Sequence, residues 1–179
     1  MGKITKFKDI PQLIRDGTYL TNMPMRYLLE RIEEWENDEY YQLELNPDFQ
    51  RGHIWTEDQQ ISYVEFLLRG GKSSRIIYFN KPSWQGSEVI DGYDDFVCVD
   101  GLQRLTAVMR FLKNEIRVFD SYYNEFEDRL PFSIDLVFNV NNLKSKKEVL
   151  QWYIDMNAGG TPHTKSEIER VQQMLNELE

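Results

Sequence analysis

The chain has 179 residues, of which 41% are apolar and 28% are charged, which is the balance of one globular domain with a sizeable core. No apolar run approaches the ~20 residues of a membrane span, and the first residues lack the apolar stretch of a secretion signal. The single cysteine, Cys98, excludes internal disulfides and a cysteine-based metal cluster. We therefore expect a cytoplasmic protein with no membrane partner, and one domain over residues 1–179 in which residues 1–20 are an N-terminal extension.

The net charge of -9 bears on the partners of the chain. Proteins held on DNA by phosphate contacts usually present a basic face, so DNA is expected to meet this chain only through a local basic patch. A small anionic ligand in a focused basic pocket remains compatible with the acidic total.

The first elements are predicted from caps and turn residues. Thr21-Asn22 ahead of Pro24 predicts a helix start, and the helix is expected to run to about Asp38. Its expected buried residues are Tyr27, Leu28, Ile32 and Trp35. A short strand is expected over 40–45, ended by Asn46-Pro47-Asp48.

The next segment carries a capping box, Thr56-Glu57-Asp58-Gln59, which predicts a helix over 57–69. Its expected apolar face comprises Ile61, Val64, Phe66, Leu67 and Leu68. Gly70-Gly71 is expected to end the helix, and 75–79 is expected to be a strand.

The second half mixes strands and helices. Val89-Ile90 is expected to pair with Phe96–Val99 across the polar turn 91–95, and 115–119 and 133–140 are expected to be strands. The clearest helix follows Phe96–Val99, because apolar residues recur there at i, i+3, i+4 and i+7. These residues are Leu105, Val108, Met109 and Leu112.

Two helices are expected near the end of the chain. Ser145 is expected to cap a helix over 146–156, and Gly159-Gly160-Thr161-Pro162 to interrupt it. Thr164, with Glu167 three residues later, is expected to cap the last helix. The order of elements predicts an α+β or mixed α/β fold.

The most informative polar cluster is Val99-Asp100-Gly101-Leu102-Gln103-Arg104-Leu105, where a β-type run ends in an acid and a glycine before a helix. A helix N-terminus and an arginine are donors that hold phosphate. Asp100 is a candidate to cap the helix, to coordinate a metal or to orient Arg104, and Gln103 offers an amide. Alternatively, the motif is only a capped helix start, although a cation in the first turn opposes the helix dipole unless an anion lies nearby.

Two further polar clusters accompany this motif. In Asn46–Trp55, Gln50 and Arg51 are candidates to reach a shared polar site; alternatively, Arg51 pairs with a carboxylate and Trp55 fills the core. In Tyr153–Thr164, Asn157 and the stretch Gly159-Gly160-Thr161 are candidates to form an anion-accepting concavity; alternatively, they only end one helix and begin another. Cys98, on a predicted core strand, is interpreted as a small hydrophobe.

In this order and spacing the three clusters resemble the N-terminal domain of GmrSD-type, modification-dependent restriction enzymes, which has a ParB/sulfiredoxin-like fold. The resemblance covers roughly residues 20–175. The family pattern is Asp-Gly-Gln-Gln-Arg, and Leu102 stands here at the first glutamine. Sulfiredoxin-type chemistry needs a cysteine at this point of the motif and is not expected.

The resemblance implies a nucleoside-triphosphate-hydrolysing domain of a DNA-associated system, such as restriction and phage defence, that uses a nucleoside triphosphate with Mg²⁺. Asp100, Gln103 and Arg104 would be catalytic, with Asp100 the candidate Mg²⁺ ligand. The residues implied to bind nucleotide phosphate are Gln50, Arg51, Gly101, Arg104, Asn157, Gly159, Gly160 and Thr161. The family's nuclease is a separate HNH-type domain, and His53 and His163 form no such arrangement here, so a separate nuclease or effector is the expected protein partner.

Two alternatives to the hydrolase stay open. One is a module of the same fold that binds DNA or protein with weak turnover or none. The other is a phosphotransferase acting on a small molecule or on DNA, which depends on analogy between folds alone.

Overall fold

The computed structural model describes residues 3–50, 55–158 and 165–178. Within these ranges the chain has an α+β fold, as predicted, with a four-stranded sheet and five α-helices. The strands are β1 (Tyr19–Pro24), β2 (Ile76–Asn80), β3 (Val97–Asp100) and β4 (Asp135–Asn141). The helices are α1 (Leu28–Asn37), α2 (Glu57–Leu68), α3 (Leu102–Leu112), α4 (Lys146–Ala158) and α5 (Lys165–Asn176).

The sheet is mixed, with the strand order β1-β4-β2-β3. Strand β4 runs antiparallel to β1 and parallel to β2, and β3 runs antiparallel to β2. Tyr78 in β2 therefore lies opposite Asn139 of β4 on one side and Asp100 of β3 on the other. The end of β3 thus lies beside the middle of β2.

Side chains of β3 contribute to two apolar cores because successive residues of a strand point to opposite faces. Cys98 is buried in a core with residues of α1, α2 and α3, whereas Val97 and Val99 are buried in a second core with residues of α4 and α5. The sheet is therefore covered by helices on both faces at β3. None of the helices in the described ranges is long and apolar enough to cross a membrane.

Several local predictions are confirmed. Thr56 and Gln59 form the reciprocal capping box at the start of α2, and Gly70 follows that helix with φ +86°. Ser145 Oγ accepts a hydrogen bond from the Glu148 N–H at the start of α4. Helix α3 buries Leu105 and Val108 as its spacing predicts. Thr164 lies outside the described residues.

The predicted helix start at Thr21-Asn22 is wrong. Residues 19–24 form β1, whose half-buried and exposed side chains alternate along its first five residues, and α1 begins only at Leu28. Pro24 is tolerated at the end of this edge strand because its missing N–H interrupts no central ladder. Leu28, Ile32 and Trp35 are buried as predicted, but Tyr27 is 46% exposed.

Three predicted strands are also wrong. Val89-Ile90 does not pair with β3, whose hydrogen-bonded neighbour is β2, and the intervening loop is held by the ion pair Lys81–Asp94. Residues 40–45 and 115–119 form only single β-bridges, Glu44 with Val97 and Val118 with Ser121. A short run of this kind does not identify a strand by itself, because its pattern does not show whether it will pair with another strand.

Candidate functional site

The central polar motif lies at the junction between β3 and α3. Asp100 ends β3, Gly101 has φ +98°, and α3 begins at Leu102. A Cβ at Gly101 would lie 2.8 Å from Cδ1 of Ile77, and the left-handed backbone alone would strain any other residue. Glycine is therefore required here by both the turn and the close approach to β2.

Asp100 and Arg104 form an ion pair across the first turn of α3. Their side chains are 25% and 17% exposed, respectively. The carboxylate stabilises a cation that would otherwise lie unfavourably at the positive end of the helix dipole. The pair uses Nη2 of the guanidinium, and the other N–H donors of this group have no hydrogen-bond partner among the described residues.

The N-terminus of α3 is capped by no side chain in the described part of the chain. Leu105 N–H donates to the Gly101 carbonyl, so the regular helix bonds start there. The preceding N–H groups of the first turn have no intrahelical partner, as at every helix start. This end of α3 therefore offers backbone donors close to Arg104.

Both glutamines of the predicted site form hydrogen bonds with backbone groups of neighbouring segments. Gln50 Nε2 donates to the Cys98 carbonyl at 2.6 Å, and Gln103 Oε1 accepts from the Trp55 N–H at 3.0 Å. The structure thus brings the segment around Gln50 against the β3–α3 junction. Arg51 lies outside the described residues.

The third cluster is described only in part. Asn157 lies near the end of α4, and its Nδ2 donates to the Tyr153 carbonyl at 2.7 Å. Its neighbour Met156 lines the same cavity as Asp100. Gly159, Gly160, Thr161 and both histidines lie outside the described residues.

A cavity of about 320 Å³ adjoins Asp100. Its walls come from the N-terminal segment, from the sheet and from α4. They comprise Leu13, Ile14, Asp16, Tyr78, Asp100, Asp155 and Met156. The first wall was not predicted, because residues 1–20 show no periodicity.

Residues 13–17, which we call the N-terminal strap, are held against the sheet by two buried asparagines. Asn139 bonds to both the N–H and the carbonyl of Gly17 at 2.9 Å, and Asn141 Nδ2 donates to the Arg15 carbonyl. The Ile14 N–H donates to Asp155 of α4 at 3.0 Å. Polar residues at alternating positions of an otherwise apolar strand were the available sequence signal.

The pKa is raised for two groups near the site, the buried Cys98 thiol and the half-buried Tyr78 hydroxyl. Burial raises the pKa of the Cys98 thiol, and Asp100 raises it further, so the thiol stays protonated and is no nucleophile. Burial also raises the pKa of Tyr78, with further contributions from Asp16 and Asp100, while Arg104 lowers it. Cys98 is fully buried, as its interpretation as a small hydrophobe predicted.

The described residues contain no group of three or more His, Cys, Asp or Glu side chains able to hold a metal ion. Mg²⁺ is usually bound by one or two carboxylates together with substrate phosphates. Asp100 is therefore compatible with a magnesium ion that arrives with a nucleotide.

Comparisons of the chain with models of known families, with curated proteins and with solved structures gave no match.

Proposed function

We propose that this chain is a nucleotide-binding domain that hydrolyses nucleoside triphosphates in a DNA-associated system. The observation that supports the proposal best is the β3–α3 junction, where Arg104 lies beside an uncapped helix start and next to an open cavity. A helix N-terminus and a guanidinium are complementary to phosphate. The sequence resemblance to GmrSD-type N-terminal domains, with their ParB/sulfiredoxin-like fold, points to the same ligand.

In the proposed mechanism, Arg104 and the first N–H groups of α3 donate to phosphate oxygens. Positioning and charge stabilisation account for most of the catalysis of phosphoryl transfer, so few groups are needed. The carboxylate oxygen of Asp100 that does not bind Arg104 would orient the attacking water or, alternatively, hold the Mg²⁺ that comes with the nucleotide. Arg51 and the stretch 159–161 are assigned to phosphate by the resemblance alone.

Mg²⁺ bound with the nucleotide would neutralise charge on the phosphates, and Asp100 is the residue of this chain that would hold it. The ion pair with Arg104 keeps the Asp100 carboxylate in place for this role.

The proposed association with DNA needs a local basic patch, because the total charge is -9. Lys3, Lys6 and Lys8 lie in an exposed stretch whose Phe7 is 93% exposed. Lysines contact phosphates, and an exposed aromatic ring can stack on a base. Retention on DNA that decreases steeply with salt, and that is lost when the three lysines become alanines, is the expected result.

The decisive experiment measures binding and hydrolysis of ATP, GTP and CTP with Mg²⁺. We expect Arg104→Ala to lower affinity for the nucleotide that binds at least tenfold, whereas Arg69→Ala, which removes an equal charge from a side chain that is 69% exposed, should leave it unchanged. Negligible binding of all three nucleotides by the unmodified protein would contradict the proposal.

The second candidate function is binding without turnover. It is favoured by Leu102 at the position of a family glutamine and by the ion pair that engages both Asp100 and Arg104. Release of inorganic phosphate separates the two functions. Tight binding of a nucleotide with no phosphate released over the background would assign the chain to the interaction module, with a nuclease or effector as partner.

A further inference from the structure

The cavity beside Asp100 has an electrostatic character opposite to that of the proposed phosphate position. Asp100 belongs to both, since it pairs with Arg104 and also lines the cavity. Beyond Asp100 the lining contains the carboxylates of Asp16 and Asp155 and no cationic residue. A phosphate would be repelled from this cavity, whereas a neutral group with hydroxyl donors would be accepted.

The strap wall of the cavity is held before any ligand binds. Asn139 and Asn141 are 2% and 7% exposed, and their amides bond to the strap backbone as described above. On the opposite wall, both carboxylate oxygens of Asp155 are engaged, one by the Ile14 N–H and the other by Gln151 Nε2 at 2.8 Å. Asp155 therefore positions the strap, and the hydrogen-bonding capacity left for a ligand is on other residues.

That capacity is on Asp16, Asp100 and Tyr78. Asp16 Oδ1 accepts from Trp152 Nε1 at 3.3 Å and Asp100 Oδ2 binds Arg104, so each carboxylate keeps one oxygen without a partner among the described residues. The Tyr78 hydroxyl likewise has no hydrogen-bond partner in the described ranges, although its ring is fixed edge-on against Trp152. A tyrosine hydroxyl is neutral near pH 7, and burial raises the pKa of Tyr78 further, so this hydroxyl is both a donor and an acceptor.

We propose that this cavity is the sugar subsite of the nucleotide site and that it selects ribose over deoxyribose. The inference depends on the proposed nucleotide binding. A nucleotide with its phosphates at Arg104 and α3 would direct its sugar past Asp100, and the free carboxylate oxygen of Asp16 would accept a hydrogen bond from one of its hydroxyls. The Tyr78 hydroxyl would complete the contact with the 2′-hydroxyl.

The first test compares each of ATP, GTP and CTP with its 2′-deoxy form, with Mg²⁺ present, by calorimetric titration of the whole chain. For the base that binds, we expect the ribonucleotide to bind about five- to tenfold more tightly, as the loss of one or two hydrogen bonds implies. Equal affinities for the two sugars would overturn the sugar subsite and leave the proposed nucleotide binding intact. No binding of any nucleotide would overturn both.

The second test removes one oxygen atom. In Tyr78→Phe the ring that contacts Trp152 is retained, so we expect affinity for the ribonucleotide to decrease several-fold and affinity for the deoxynucleotide to stay the same. Tyr27→Phe, a tyrosine outside the cavity, is the matched control and should preserve the preference. If Tyr78→Phe lowered both affinities equally, or neither, the assignment of the sugar to this cavity would be wrong.

Discussion

Two ion pairs of this molecule differ in how completely their polar atoms are used. The Lys81 ammonium is 3% exposed and donates to both the carboxylate and the backbone carbonyl of Asp94. The other Asp94 oxygen accepts from the Ser83 N–H at 2.9 Å, and the Tyr40 ring lies 5.0 Å from the ammonium. This pair closes the loop between β2 and β3 and leaves little capacity for a ligand.

The Arg104 side chain is 17% exposed against 3% for Lys81, and the pair Asp100–Arg104 is less saturated. It lies beside a cavity, it uses one terminal nitrogen of the guanidinium, and a helix start adds donors next to it. We therefore expect the first pair to stabilise the fold and, under the proposed function, the second pair to bind a ligand. Substitutions that separate stability from binding therefore test the comparison directly.

The largest effect on stability is expected from Asp94→Ala. The substitution leaves the Lys81 ammonium buried without its counter-ion, and breaking such a pair lowers the free energy of unfolding by about 3 kcal/mol. Urea titration at pH 7 measures this loss. Asp48→Ala, which breaks the exposed pair with Lys146, is the control and should change stability by less than about 1 kcal/mol. Equal losses in the two variants would show that the burial of Lys81 does not increase the contribution of its ion pair to the free energy of unfolding.

Gly17→Ala is expected to have the next largest effect. A Cβ at Gly17 would collide with the backbone carbonyl oxygen of Val140, so the strap must leave the sheet and its bonds to Asn139 are lost. We expect unfolding free energy to decrease by about 2 kcal/mol. Faster amide exchange of the Ile14 and Gly17 N–H groups would locate the loss at the strap.

Gly92→Ala is the matched control for Gly17. Gly92 has φ +74° and open space around its Cα, so an alanine meets only the strain of the left-handed backbone, about 1 kcal/mol. Unchanged amide exchange in the strap of Gly17→Ala would contradict the view that the asparagines hold it.

Local signals predicted the helices well and the sheet edges poorly. The capping box Thr56–Gln59 lies at the start of α2, and the apolar spacing of α3 lies within that helix. A short stretch of sequence is therefore enough to predict each of these helices. Strand β1 was not predicted because Thr21, Asn22 and Pro24 also fit a helix start. Only the pairing with β4, which is distant in sequence, favours the strand. The N-terminal strap was not predicted for the same reason, since its hydrogen bonds go to residues more than 120 positions away in the sequence.

For the candidate site, the sequence pointed to the β3–α3 junction but not to the hydrogen bonds that each polar group makes there. The structure places Gln50 beside the motif, where its amide, like that of Gln103, bonds to backbone. Tyr78 and Asp16 line the cavity, yet neither belongs to a local motif. Whether Gln50, Gln103 and Asn157 contact a ligand stays a prediction, and Arg51 and 159–161 lie outside the described residues.

Arg104→Ala should change stability little. Asp100 stays partly exposed and close to the positive end of α3, so the loss of unfolding free energy should be below about 1 kcal/mol, although nucleotide affinity falls. Urea titration of this variant beside Asp94→Ala measures the contrast. A loss as large as that of Asp94→Ala would mean that the Asp100–Arg104 pair is structural.

The smallest effect is expected in the pH dependence of stability. Burial alone raises the pKa of the Asp94 carboxyl, but hydrogen bonds from Ser83 and Lys81 outweigh it and hold the pKa below its ordinary value of 3.8. A lowered pKa in the folded state means that the unfolded state binds more protons, so this stabilisation is present above about pH 4 and is lost as the pH falls further. Urea titrations from pH 6 to pH 3 should therefore show a steeper loss in the unmodified protein than in Asp94→Asn. If the two slopes were equal, the Lys81–Asp94 pair would not be the saturated pair that the comparison requires.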